Sequence, residues 1–213
     1  MNFNRFFLMS SIVVTAFGVN ALAATYEIDP DHSSVNFKIR HLVSKTAGKF
    51  DKFKGSFEYE KGKSESWSVN AEIETASINT NTKKRDDHLR SKDFFDVAKY
   101  PKITFKSTKV ADARSSEAKL HGELTMHGVT KPVELDLEVG GEGKDPWGNE
   151  RVGFTAKTKL NRKDFGIEYN KTLETGGVLL GDDVEVVLEI EGIKKAAPLA
   201  TDTAHGAAHK AKK

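Results

Sequence analysis

The stretch "VELDLEV", Val133–Val139, carries the reading of the fold. Val133, Leu135, Leu137 and Val139 share one parity, and only acids, Glu134, Asp136 and Glu138, occupy the other. A side chain that alternates with period two belongs to a strand with one dry and one wet face, as in antiparallel sheets. The same period runs outward in both directions. "VEVVLEI" near the C-terminal end sets Val184, Val186, Leu188 and Ile190 on one face; "VGFTAKTKL" sets Val152, Phe154, Ala156, Thr158 and Leu160. "SVNFKIRH" places Val35, Phe37 and Ile39 against Asn36, Lys38 and Arg40. Strands are predicted at 25–29, 33–43, 47–60, 67–76, 102–112, 117–126, 131–140, 151–162 and 183–193, separated by turn-rich runs such as "KGKSES" and "GGEGKDPWGNE".

One segment breaks the rhythm. "TKKRDDHLRS", Thr82–Ser91, is polar and short of β-branched residues, and it reads as a short helix with Thr82 as N-cap. The expected fold is all-β, a single extended antiparallel barrel of about eight strands with this helical segment beside it. A barrel is preferred to a sandwich because the strands at 33–43 and 47–60 are long. Its inner face would carry Phe37, Phe50, Phe57, Phe105 and Phe154, and periodicity leaves open whether side chains or a ligand fill the space between them.

The ends of the chain read differently. Residues 1–23 combine Arg5, an apolar run from Phe6 to Val19 and the small-residue pattern Ala21-Leu22-Ala23, a secretory leader expected to be cut after Ala23. Residues 194–213, rich in lysine and alanine, read as a disordered tail, which leaves 24–193 as the domain. The chain has a net charge of +2; Arg5 contributes +1 and the tail +4 (five Lys, one Asp), so the domain itself is about −3. Such a domain offers no basic face for nucleic acid. With no cysteine, thiol catalysis, thiolate metal sites and disulfides are excluded.

The block "DDHLRSKDFFDVAKYPKITFKS", Asp86–Ser107, invites a catalytic reading through Asp86, Asp87 and His88. Successive residues on a helical turn point about 100° apart, so the three cannot converge on one atom. Bracing of the helix, with Asp86 pairing Arg90 at i, i+4, accounts for them more simply. Leu89, Phe94 and Phe95 instead suit a lid and cavity wall, and Tyr100-Pro101 ends the irregular segment before Ile103 and Phe105 turn inward. His121 and His127 lie too far apart along a strand to share a metal, and His205 and His209 sit in the tail. No metal site is expected.

Five segments in this order, "YEIDPDHSSVNFKIRHL", "GKFDKFKGSFEYE", the long block around "DDHLRSKDFFDVAKYPKITFKST", "HGELTMHGVTKPVELDLEV" and "RVGFTAKTKLNRKDFGIEYN", closely resemble the YceI-like family of exported lipid-binding proteins. The resemblance covers Thr25 to Ile193 and implies a lipocalin-like barrel that holds a long isoprenoid or similar amphiphile without altering it. It also implies periplasmic residence and, in some members, homodimers. On that expectation the apolar cavity would be lined by Phe37, Ile39, Phe50, Phe57, Leu89, Phe94, Phe95, Ile103, Phe105, Phe154, Leu160 and Phe165. Arg40, His41, Asn79 and Arg162 border apolar segments and would meet a phosphate or carboxylate head group. No cofactor is expected apart from the lipid. Burying about 16 methylenes at ~0.8 kcal/mol each yields roughly 13 kcal/mol before ordering costs, so binding needs no catalytic kit. Rival readings are an enzyme on a lipid-like substrate using His88 or His41, a filled structural or stress-protection barrel, and an adaptor for an inner-membrane redox or transport partner.

Overall fold

The computed structural model describes residues 23–174 and 176–196. Residues 1–22, most of the predicted leader, and residues 197–213, most of the predicted tail with His205 and His209, lie outside the described residues. Eleven strands and one helix make up the described chain: β1 (Ala24–Ile28), β2 (Ser34–His41), β3 (Ser44–Phe50), β4 (Phe53–Tyr59), β5 (Ser68–Glu74), β6 (Ile78–Asn79), α1 (Lys83–Arg90), β7 (Lys102–Arg114), β8 (Glu117–Met126), β9 (Val129–Lys144), β10 (Glu150–Asn161) and β11 (Leu180–Lys194).

All pairings are antiparallel. The order β1-β4-β5-β7-β8-β9-β10-β11 returns to β1 through Tyr26↔Lys194, Glu27↔Ile193 and Ile28↔Gly192, closing an eight-stranded barrel. β11 is long enough to serve two partners on the same side. Its last residues pair with β1, whereas Leu180–Glu189 pair with β2, and β3 and β6 continue the sheet from there. β1 and β2 are thus two halves of one run along β11, interrupted where Pro30 has no N–H for the ladder.

A similar interruption corrects the strand predicted over 47–60. It is two strands, β3 and β4, with a break at Asp51–Lys52. There Asp51 N–H donates to Ser77 O, and Glu74 N–H donates to Lys52 O, so the chain passes from the β2 and β6 neighbourhood to that of β1 and β5. The predicted end of the last strand also moves: β11 reaches Lys194, and Lys195 N–H donates to Thr25 O.

One end of the barrel is sealed by aromatics. Tyr26 stacks on Phe57 at 5.3 Å, Phe154 meets Phe57 edge-on at 5.3 Å, and Trp67 lies 4.9 Å from Tyr59. Their polar tips are satisfied, since Tyr59 Oη donates to Glu142 Oε1 and Trp67 Nε1 donates to Glu60 O, both at 2.8 Å or less. Burial and Glu142 together push the Tyr59 phenol well above its ordinary pKa, so it stays a donor. At the other end the sheet parts between β3 and β7. β6, α1 and the segment 91–101 cover that gap.

Candidate functional site: a cavity along the barrel axis

A cavity of about 850 Å³ runs through the barrel. Its floor is the aromatic seal, where Tyr59, Trp67 and Phe154 face it. Leu120, Leu135 and Leu137 line the middle, and β11 supplies Val184, Val186, Leu188 and Ile190 along its whole depth. From Leu180 to Ile190 the wall follows β11, which at ~3.3 Å per residue and a tilt of ~40° gives roughly 25 Å along the axis. The size falls within the few hundred to about 1,000 Å³ usual for ligand sites.

α1 and its flanks shape the opposite end, and they do so by structural bonds. Asp86 is buried, and its Oδ1 accepts from Thr80 N–H at 2.8 Å and from the Thr80 hydroxyl. The predicted Asp86–Arg90 pair is therefore corrected. Arg90 donates to Ala76 O and Ile78 O, both at 2.7 Å, and to Asp87, which also accepts from Lys83. The Lys83 ammonium beside Asp87 holds that carboxyl below its ordinary range. Thr82 does precede the first helical turn, but its side chain caps no backbone amide; its hydroxyl accepts from Arg85. The acid–histidine triplet is thus divided among three separate tasks. His88 Nε2 donates to Asp93 at 2.7 Å while its ring meets Phe94 at 5.0 Å and Tyr169 at 4.9 Å.

Of the apolar residues read from the sequence, Phe37, Ile39, Phe50, Phe57, Leu89, Phe94, Phe95, Ile103, Phe105, Phe154 and Leu160 face the cavity. Phe94 and Phe95 turn inward behind α1, Phe95 with its ring edge-on to Phe50 at 5.9 Å. Phe165 does not line the cavity. It sits in a 3-10 turn after β10, fully buried, and its carbonyl accepts from His127 Nδ1 at 3.0 Å.

The polar candidates divide. His41 and Arg162 line the cavity, and Arg40 and Asn79 do not. Arg40 lies on the wet face of β2 and donates to Leu42 O, as its place between Ile39 and His41 demands. Asn79 is turned aside, donating to Asp51 Oδ2 at 2.8 Å and accepting from Asn81 N–H. Arg162 is buried with each guanidinium nitrogen engaged, on Gly181 O, Ile167 O and Asp182. It holds the loop before β11 in place.

Basic residues that sequence reasoning missed surround the mouth. Lys84 and Arg85 of α1 and Lys171 of the loop before β11 all border the cavity, as does Tyr169. Lys84 and Lys171 make no salt bridge among the described residues. The one acid on the wall, Glu58, accepts from the Thr25 hydroxyl at 2.8 Å, far from the mouth. A helix of such uniformly polar sequence gives no sign of which face meets a cavity, and the 166–179 segment has no period at all.

A second polar cluster lies at the sealed end. Asp29, His32 and Glu191 bring their ligating atoms within 4.8 Å of one another. Arg151 fills the space between them, with Nη1 2.7 Å from Asp29 and 2.5 Å from Glu191 and Nε 2.8 Å from Asp145. Its guanidinium, helped by His32, holds the Asp29 carboxyl at about 2. Burial pushes Asp145 up, but hydrogen bonds from Asn149, Arg151 and the Trp147 amide outweigh it and leave the carboxyl well below its ordinary range.

A closed antiparallel barrel with an apolar interior, sealed at one end and rimmed by cations at the other, has the form of a binding protein for a long apolar molecule. Comparison with known proteins makes the relationship specific. The model of the YceI-like domain matches residues 26–192, and the chain belongs to the YceI-like family. A UPF0312 protein of Vibrio cholerae is 39% identical over 192 residues, covering 88% of this chain and 95% of the relative. The crystal structure of a Campylobacter jejuni YCEI protein superposes with a TM-score of 0.65 at 33% identity, over 74% of this chain and 90% of the other. A polyisoprenoid binding domain from Saccharophagus degradans shares the fold, with a TM-score of 0.59 at 15% identity over 81% of this chain and 99% of that domain.

Proposed function

We propose that the mature protein is exported to the periplasm, where it sequesters or carries a long-chain isoprenoid or similar amphiphile without altering it. The observation that carries this reading is the cavity, about 850 Å³ of mainly aliphatic and aromatic wall, with Lys84, Arg85 and Lys171 at its mouth and Lys54 and Glu58 of β4 charged elsewhere along it. The tail would lie along the axis toward Tyr59 and Trp67. The head group would stay at the mouth near His41 and the cations Lys84, Arg85 and Lys171, whose charge favours a phosphate, a carboxylate or a strongly polar ring. The family and the kinship of fold with a polyisoprenoid binding domain support lipid as the ligand class. Export rests on the leader at residues 1–23, and homodimer formation or delivery to an inner-membrane protein would fit a carrier.

Native mass spectrometry of protein purified from its own periplasm, followed by solvent extraction, tests the reading. A stoichiometric apolar adduct lost on extraction is the expected result. A clean unliganded mass, together with no uptake of isoprenoid quinones or fatty acids, would sink it. One observation favours a second reading, an enzyme acting on a lipid-like substrate: the His88–Asp93 pair beside the cavity has the geometry of an oriented general base. Under that reading His88→Ala would retain cargo uptake and abolish conversion of the cargo.

A further inference from the structure

The turn between β2 and β3 has an unusual composition for its shape. His41 pairs with Ser44, so Leu42 and Val43 alone make the turn. Leu42 has φ +51°, and two-residue hairpin turns favour glycine, asparagine or aspartate at such a position. A leucine is held there at a steric cost, followed by a valine that is 103% exposed. Leu42 and Val178 are themselves 41% and 42% exposed. The two loops form one surface, since Leu42 N–H donates to Leu179 O at 2.9 Å and Val178 bridges to Thr172. That surface is continuous with the mouth, because His41, Leu179 and Leu180 line the cavity.

Charge around this tip is opposite to that of the domain. Arg40 donates to Leu42 O, and Lys84, Arg85 and Lys171 border the same mouth, against Glu168 and Glu174 of the loop before β11. Asp182 and Asp183 beside Leu180 are paired with Arg162, Lys163 and Lys159, and residues 24–193 as a whole are net negative. Apolar side chains projecting from a cationic collar suit the boundary of an anionic bilayer, where the former enter the acyl region and the latter meet phosphates. We propose that Leu42, Val43 and Val178 dock the protein on an anionic lipid surface, so that the cavity opens onto the membrane.

The chain has no cysteine, so Val43→Cys and Trp147→Cys each give a single labelling site. Trp147 is exposed on the β9–β10 turn at the sealed end and serves as the control. Full-chain protein carrying an environment-sensitive dye is mixed with phosphatidylglycerol–phosphatidylcholine vesicles. The dye at position 43 is expected to shift to the blue and the dye at 147 to stay unchanged. In flotation, Val43→Asp is expected to lower vesicle partitioning about tenfold. Leu42→Asn, which suits the positive φ, should also weaken partitioning while leaving the thermal midpoint intact or raised. Equal responses at 43 and 147, no response at 43, or undiminished flotation of both variants would overturn the proposal. A vesicle-independent shift at 43 that grows with protein concentration would place a second copy on the tip and overturn it as well. Docking is read here without cargo, so its failure is separate from failure of the carrier reading.

Discussion

Asp86 and Asp87 stand side by side and do opposite things. Asp86 is buried, and its Oδ1 accepts two hydrogen bonds from Thr80. Asp87 is on the outer side of α1 with Lys83 and Arg90. Asp86→Ala strips a buried amide and a buried hydroxyl of their acceptor, which costs about 2–3 kcal/mol. Asp87→Ala should leave the denaturation midpoint nearly unchanged, because exposed ion pairs contribute little. Urea titrations of the two variants check this, and equal losses would show that α1 is held by charge on its outer face. Side-chain parity explains which site residues the sequence revealed. Phe37, Ile39 and His41 face the cavity and Arg40 does not, because neighbours on a strand take opposite faces. Asn79 and Phe165 were not legible, since each sits in a short irregular element where parity has no meaning.

At the scale of elements, alternation disclosed β7 to β11 to within a few residues at each end, because the inward face of these strands is dry over most of its length. β6, only two residues long, carries no pattern, and the break between β3 and β4 is decided by partners distant in sequence. The knot around Arg151 was equally invisible. It ties the β1–β2 turn, the β9–β10 turn, β10 and β11 through Asp29, Asp145 and Glu191. Asp29 and Asp145 both titrate lower folded than unfolded. Their stabilisation is therefore complete above the unfolded carboxyl value near 3.8 and is lost as pH falls through the folded values, about 2 for Asp29. Asp145→Asn should unfold more easily than wild type at neutral pH, with the difference narrowing as pH drops from about 4 toward 2. Chemical denaturation followed by circular dichroism across that range decides it. A difference independent of pH would assign the loss to packing of the turn.

For the whole molecule, closure and emptiness are linked. The barrel is joined by a short β1–β11 seam connecting residues 164 to 168 positions apart, beside the Tyr26–Phe57 stack at the sealed end. The interior it encloses leaves about 850 Å³ between its apolar walls, so those walls lack part of the contact that normally stabilises a core. A ligand that supplies the missing contact binds only the closed barrel and must raise its stability. At a hundredfold excess over Kd the gain is about 2.7 kcal/mol, or roughly 5–10 °C in thermal midpoint for a domain of this size. Ala71 of β5 lines the cavity between Val69 and Ile73, and Ala71→Leu would enter that space. The variant should melt at or above the midpoint of the empty wild type and respond less to added isoprenoid. Differential scanning fluorimetry of both proteins with and without a quinone of long side chain makes the comparison. If the wild type gains nothing from the lipid and the variant loses stability, the space beside Ala71 is closed by motion of the walls and cannot be where the tail lies.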